Sequence, residues 1–309
     1  MNNTLKKIVW ITAAIAIVSL GIAAVLFFAT GMEGPWEPGN GITIDEQRSF
    51  ALNGFDKIEV RTSSTDVHIT AVDGDAVGIW LHGTAYTGQA DTVPALAAEQ
   101  SGEVLEITTE RKDGRKWVLG FFSSDLILEI KIPKQYRGAL VVDTSSGDVE
   151  INDQILSELS VETSSGDMQL NSIQATTIAM ESSSGDQTAE GITAESSSLT
   201  SSSGEIRVKD LHGGAKAESS SGDITLRFGE FDSDLEVHSS SGDVELFLTE
   251  TAAFRVEARA SSGDIDCAFP VILNEASSEM RRNRLFGTVG EGAHKVVVQT
   301  SSGDITIRP

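Results

Sequence analysis

The tetrapeptide Ser-Ser-Gly-Asp returns along this chain at a nearly constant interval, and few folds tolerate that. The first copy is Ser145-Ser146-Gly147-Asp148, and the glycine recurs as Gly166, Gly185, Gly204, Gly222, Gly242, Gly263 and Gly303. Successive glycines are separated by 19, 19, 19, 18, 20, 21 and 40 residues. One copy carries Glu205 in place of Asp, and a weaker relative stands at Ser63-Ser64-Thr65-Asp66. A fixed period of this length marks an architecture in which each unit buries its apolar side only by stacking on neighbours. The final interval is close to two periods, as expected if one coil has lost its signature or been replaced by a loop.

Alignment on the glycine shows which side chains face inward. Five residues before it stand Val142, Val161, Met180, Leu199, Ala217, Val237, Ala258 and Val298; two residues further back stand Leu140, Leu159, Ile178, Ser197, Ala215, Leu235, Val256 and Val296. Two residues after it come Val149, Met168, Gln187, Ile206, Ile224, Val244, Ile265 and Ile305. Four after it come Ile151, Leu170, Ala189, Val208, Leu226, Leu246, Cys267 and Ile307. Alternation with period two on both sides of a turn is the signature of half-buried strands. A third apolar position follows in most copies, as at Ile155, Ile173, Ile192 and Leu211. A meander of hairpins and a parallel solenoid both satisfy the pattern. The period suits a three-sided coil, so the expected fold is all-β: a parallel β-solenoid of coils about 19–20 residues long, with a β-rich N-terminal cap.

Each residue of the turn has an expected task. Glycine is expected to supply a positive φ at a tight corner, and serine and aspartate to bond the local backbone. Stacking would place Asp148, Asp167, Asp186, Glu205, Asp223, Asp243 and Asp264 in one row, about 5 Å apart. Like charges at that distance repel by ~0.8 kcal/mol per pair in bulk water, so something must offset them. Backbone N–H donors are one answer. Ca²⁺ held between neighbouring coils is the other, which makes these carboxylates the candidate metal ligands. The calcium-binding nonapeptide has denser glycines and a shorter period, so that motif is not matched.

The N-terminus assigns a location. Residues Ile8 to Thr30 carry no charge, and as a helix they would rise about 34 Å, enough to cross a hydrocarbon core. Lys6 and Lys7 precede the run, which places the N-terminus in the cytoplasm and the rest outside. A cleaved signal peptide is the competing reading, but its apolar region is normally shorter. The expected organisation is therefore a cytoplasmic tail (1–7), a transmembrane signal anchor (8–30), a linker (31–41), a β-rich cap (42–139) and the repeat solenoid (140–309). The net charge of -23 argues against nucleic acid as a partner.

The recurrent Thr/Ser-Ser-Gly-Asp followed by Val-x-Ile, as in Thr300-Ser301-Ser302-Gly303-Asp304-Ile305-Thr306-Ile307, resembles the bacterial "putative adhesin" family. That is a domain of unknown function with β-strand repeats, which includes LiaG-like envelope-stress proteins. The alternating segment Leu126–Pro133, ending in Ile-Pro, adds to the likeness. The resemblance spans roughly residues 42–309 and implies an envelope location and no catalytic residues.

Before the repeats, strands are expected at 56–61, 67–72, 76–86, 104–110, 116–120 and 125–132, and a helical turn at 93–100. Pro309 is expected to end the last strand at the far end of the rod. The segment Asn274–Gly292 breaks the repeat with Arg281, Arg282, Arg284 and Phe286. In so acidic a chain it is a candidate partner-binding loop, the alternative being an excursion that packs back on the rod. Cys267 falls at an inward position and reads as a small core residue. The five histidines show no metal-ligand spacing, no serine lies in a nucleophile-elbow motif, and no phosphate-cradling loop is present. The acids share one sequence context, whereas acid–base catalysis needs carboxylates in different environments. These readings point to a non-enzymatic envelope protein without a resident cofactor, acting in binding, adhesion or scaffolding. Its partners would be the membrane and an envelope polymer or membrane protein. Two alternatives stay open: a sensory partner of a membrane signalling complex and a β-helix polysaccharide-degrading enzyme.

Overall fold

The apolar residues flanking each corner form two stacks of parallel strands, joined through the corners. The computed structural model describes residues 41–86, 93–111, 123–273 and 282–309. The chain begins with β1 (Gly41–Ala51), β2 (Lys57–Thr62), β3 (Asp66–Val72) and β4 (Ala76–Tyr86). Then follow β5 (Pro94–Ser101), β6 (Val104–Arg111) and β7 (Ser123–Pro133). β8 (Ala139–Thr144) and β9 (Val149–Asn152) flank the corner at Gly147, and β10 (Glu158–Thr163) leads to the next. β11 (Met168–Ser182), β12 (Gln187–Ser201) and β13 (Ile206–Ser219) each run from one corner to the following one. β14 (Ile224–Phe228), β15 (Leu235–Ser239), β16 (Val244–Phe247), β17 (Phe254–Ser262) and β18 (Ile265–Cys267) continue the pattern. The chain ends with β19 (Ile272–Leu273), β20 (Arg284–Val289), β21 (His294–Ser302) and β22 (Ile305–Arg308).

On the face before the corner the parallel order is β6–β2–β8–β10–β11–β12–β13–β15–β21–β17. On the face after it the order is β7–β3–β9–β11–β12–β13–β14–β16–β22–β18. Three coils close through a third side, where Ile173, Ile192 and Leu211 stand in register. The corner leading to it uses left-handed backbone at Asp153, Ser172, Gly191 and Asp210, with φ of 58°, 56°, 69° and 53°. Asparagine-like short polar residues and glycine tolerate that region. Further along, edge-to-face rings of Phe228, Phe231, Phe254 and Phe269 replace the third strand, with neighbouring centroids 5.1, 6.0 and 5.3 Å apart.

The aligned inward columns are buried, with Ile265 and Cys267 only partly so because β18 ends its stack. Burial pushes the Cys267 thiol above its ordinary range, so it is a poor nucleophile. Two inward positions break the apolar rule: Gln187 and Ser197 are each 1 % exposed. Gln187 Nε2 donates to the Thr200 carbonyl oxygen at 2.6 Å, while its Oε1 and Ser197 Oγ have no partner.

Several expectations change. Residues 42–139 are not a separate cap, because β2/β3 and β6/β7 are coils of the same stack, in register with β8/β9. Only β1, β4 and β5 cap that end, running antiparallel along its open edges. β5 is an extended strand where a helical turn is expected at 93–100, since Pro94–Ser101 pairs along β6. β1 has no sequence forecast at all. At the other end, the final coil is not terminal: β21/β22 inserts between β15/β16 and β17/β18. The 40-residue gap holds β19 and β20, which cover the outer edge of β17 before the chain turns back inside it. Such covering blunts edge-to-edge pairing. Among the described residues no helix is long and apolar enough to cross a membrane; the expected anchor (8–30) and the strand forecast at 116–120 lie outside them.

Two outcomes test this packing. Gln187→Met keeps the volume and removes the orphan oxygen, so it should raise stability by about 1 kcal/mol in chemical denaturation. Gly185→Ala should cost about 3 kcal/mol or more, because its Cβ would fall on the Gly166 carbonyl of the adjoining coil. Gly102→Ala, with φ of 62° but open space around it, should cost only ~1–2 kcal/mol.

Candidate functional site: the corner edge

The repeated corner is where sequence, stacking and surface chemistry meet. Its glycine has a different task from the expected one. Gly147, Gly166, Gly185, Gly204, Gly222, Gly242 and Gly303 do not lie in the left-handed region, and Gly263 alone among the corner glycines does, with φ of 139°. What each needs is space: any Cβ would collide with the carbonyl group of the corner stacked against it. Glycine is required for close approach of one backbone to another, not for an unusual dihedral.

The hydroxyl three residues before the glycine faces inward and in most corners bonds the corner backbone, whereas Ser182 Oγ and Thr300 Oγ1 have no partner. Thr144 Oγ1 accepts from the Gly147 N–H at 3.2 Å, Thr163 Oγ1 from Gly166 at 2.9 Å, Ser219 Oγ from Gly222 at 2.8 Å and Ser239 Oγ from Gly242 at 2.9 Å. Backbone bonds run through the corner as well, as from Ser165 N–H to the Ser145 carbonyl at 3.0 Å. The hydroxyls that bond the corner therefore stand in an internal column, and the two outer serines leave theirs to solvent. Sequence reading overlooked this column, although Thr or Ser at that position is visible in every copy but Ala260.

The acids form a row joined by the backbone. Asp66 Oδ1 accepts from the Asp148 N–H at 3.0 Å, Asp148 from Asp167 at 2.9 Å, Asp167 from Asp186 at 2.8 Å and Asp186 from Glu205 at 2.8 Å. The row resumes with Asp223 to Asp243 N–H at 2.9 Å, Asp243 to Asp304 at 2.8 Å and Asp304 to Asp264 at 2.8 Å. Asp66 and Asp304 thus join the predicted acids. The break falls at Glu205, whose longer side chain turns to Arg207 instead of to the next coil. A charge-assisted bond of this kind contributes ~1.5–3 kcal/mol, which outweighs ~0.8 kcal/mol of repulsion between neighbours in water. The carboxylates need no cation to be stacked. Among the described residues no three His, Cys, Asp or Glu side chains are grouped so as to hold a metal ion.

Of the predicted loop, residues 282–292 are described, and Arg284–Val289 of it form β20. Arg284 and Phe286 lie on β20, opposite Arg259 and Glu257 of β17, and the Arg259 guanidinium sits 4.9 Å from the Phe286 ring centre. Arg282 uses its carbonyl oxygen to accept from the Ile265 N–H at 2.8 Å. Arg281 lies outside the described residues. Its described part packs along β17, and Arg282 and Arg284 are exposed on it.

The row gives a sharp test. Asp186→Asn keeps the acceptor oxygen and removes a charge, so its melting temperature should stay within about 2 °C of wild type, whereas Asp186→Ala should lose ~1 kcal/mol or more. Glu205→Asp should gain ~0.5–1 kcal/mol by closing the break. A rise of many degrees on adding millimolar calcium to wild type, absent in the Asn variant, would instead make the row a cation site.

No curated protein matches the chain. A putative adhesin from Bacteroides fragilis shares 18% identity, with 87% of this chain and 98% of that one covered, at a TM-score of 0.48. A putative lipid binding protein from Parabacteroides distasonis shares 16% over 87% of this chain and 98% of its own, at 0.44. A putative cell adhesion protein from Clostridium sporogenes shares 12% over 86% and 99%, at 0.34. The toastrack family DUF4097 matches residues 55–308, which takes in both the repeats and the coils before them, and the chain belongs to that family.

Proposed function

We propose that this protein is a non-enzymatic surface protein of the cell envelope, in which a rigid rod serves as a binding, adhesion or scaffolding module. A single N-terminal membrane helix holds it, with the C-terminal domain outside the cell, and a link to envelope stress follows from the family likeness. The observation that carries the reading is the use made of the repeat. Its glycines and carboxylates act in stacking one coil on the next, and its inward hydroxyls cap the corners that stack. Chemistry that is equivalent from coil to coil builds a stiff support, whereas catalysis requires groups set apart by their environments. What varies from coil to coil is the outward side chains, which stand in columns along the axis.

The test uses the full-length protein with an epitope tag after Pro309, expressed in bacterial cells. Protease added to intact cells should remove the tag, and the protected remainder should stay with the membrane fraction. Purified full-length protein in nanodiscs should be retained on envelope material without releasing reducing ends from it. A tag that survives protease until the cells are lysed would overturn the location, and steady release of reducing ends would make the protein an enzyme.

A further inference from the structure

A trough of about 550 Å³ runs along the edge where the first face meets the corner. One wall is the outward column Thr200, Glu218, His238, Gln299 and Arg259, taken from adjoining coils in their spatial order. The other is the column of exposed serines two residues further on in each coil, from Ser202 to Ser261. At ~4.8 Å per coil the walls extend roughly 20 Å along the rod. None of those serine hydroxyls bonds within the chain, since corner capping falls to the inward hydroxyl and the backbone is already paired. Behind the walls Thr300, 5 % exposed, turns its hydroxyl inward, where Oγ1 has no partner because the Gly303 N–H goes to the Ser262 carbonyl, so that hydroxyl does not reach the trough.

We infer that this trough binds an extended, neutral, polyhydroxylated chain, a glycan lying along the rod axis. The inference rests on the module reading above and names its ligand class. A hydroxyl both donates and accepts, so a file of unpartnered hydroxyls at regular intervals matches a polymer that presents the same groups at a comparable spacing. Other occupants fit poorly. A peptide cannot add as a strand, because the strands here are paired on both sides, and no apolar pocket awaits its side chains. A polyanion meets Glu218 and the field of a chain carrying -23. A lipid tail finds no apolar residue among those that line it. Glu218 and Arg259 are of opposite sign, and the Glu236 carboxylate holds His238 at the rim at 2.6 Å. Toward the membrane-proximal coils the same wall turns to Asp143, Glu162 and Glu181, which ends the neutral stretch.

Full-length protein in nanodiscs is titrated calorimetrically with cellohexaose, the hexamer of N-acetylglucosamine, maltohexaose and, as the acidic counterpart, hexagalacturonate. At least one neutral hexamer should bind with a Kd on the order of 0.1–1 mM, as suits hydrogen bonding without an aromatic platform. The double variant Ser220→Val/Ser240→Val should weaken that binding at least tenfold. The double variant Ser145→Val/Ser164→Val, in the same column but outside the trough, should leave it unchanged. Both variants should melt within about 2 °C of wild type, which excludes misfolding as the cause. Binding of none of the neutral hexamers, tighter binding of hexagalacturonate, or equal loss in the two double variants would overturn the inference. Protease-accessible, envelope-retained protein that binds none of the hexamers would sink the trough alone; protein that is not surface-exposed would remove the module reading beneath it.

Discussion

The approach of one corner backbone to the next governs the rest of this structure. Where Gly185 stacks on Gly166, neither carries a Cβ, and the carbonyl of one coil occupies the space a side chain would take. That approach lets the hydrogen-bond ladder pass through the corner, so both faces stay in one register. With register fixed, inward residues must meet inward residues, as Val142 meets Val60 and Val161. A slip by one residue would turn every apolar side chain outward. The Asp N–H to Oδ1 bonds then lock each corner to its neighbour at a point where a plain strand ladder would be weakest.

Those bonds also record an order that the chain does not follow. Read from one end they run Asp66, Asp148, Asp167, Asp186, Glu205, and after the break Asp223, Asp243, Asp304, Asp264. The last coil made is therefore an inner coil, and the coil before it lies further out. A similar inversion holds at the other end, where β2/β3 lies inside β6/β7. In both places the outlying coil is flanked by antiparallel strands, which a parallel coil cannot supply for itself. The insertion has its own fastening outside the core. Arg308 of the inserted coil bonds Glu245 at 3.0 Å and lies 4.8 Å from the Phe247 ring centre, with Arg227 at 3.9 Å. Cation–π contacts at exposed sites contribute ~0.5–1 kcal/mol each, enough to bias a terminal strand toward its slot.

Much of this was legible in the residues. The four inward columns, the corners and the strands around 57–62, 66–72 and 76–86 follow from period-two alternation and the position of glycine. The order of the coils did not, for a physical reason. Every coil offers similar apolar pairs and the same corner, so Val298 fits between Val237 and Ala258 as well as it would at an end. Only the 40-residue gap hinted at a return. The glycine was located correctly but explained wrongly, because a local sequence reading sees a turn and not the backbone stacked against it. The end strand β1 carries alternating polar residues and little apolar signal, since it pairs along β4 with most of its side chains exposed.

Equivalent corners impose a cost that shapes the surface. A row of carboxylates ~5 Å apart stores repulsion that grows with each coil added, while the backbone bonds that offset it act only between neighbours. Screening shortens the reach of the repulsion to about 8–10 Å near physiological salt and leaves the bonds nearly untouched, so ions favour the stacked state without occupying a site. The row is also interrupted. Glu205 turns away to Arg207, and cations gather on the outer face of that coil and the next, at Arg207, Lys209 and Arg227. The break in the ladder thus divides a uniformly acidic edge and coincides with a change in outward chemistry. From there on the outward columns carry histidine, glutamine and arginine beside the serines. The coils after the break keep the shared corner and differ in the side chains they turn outward. That separation, with stacking inside and variation outside, lets a repetitive chain carry a distinct surface on part of its length.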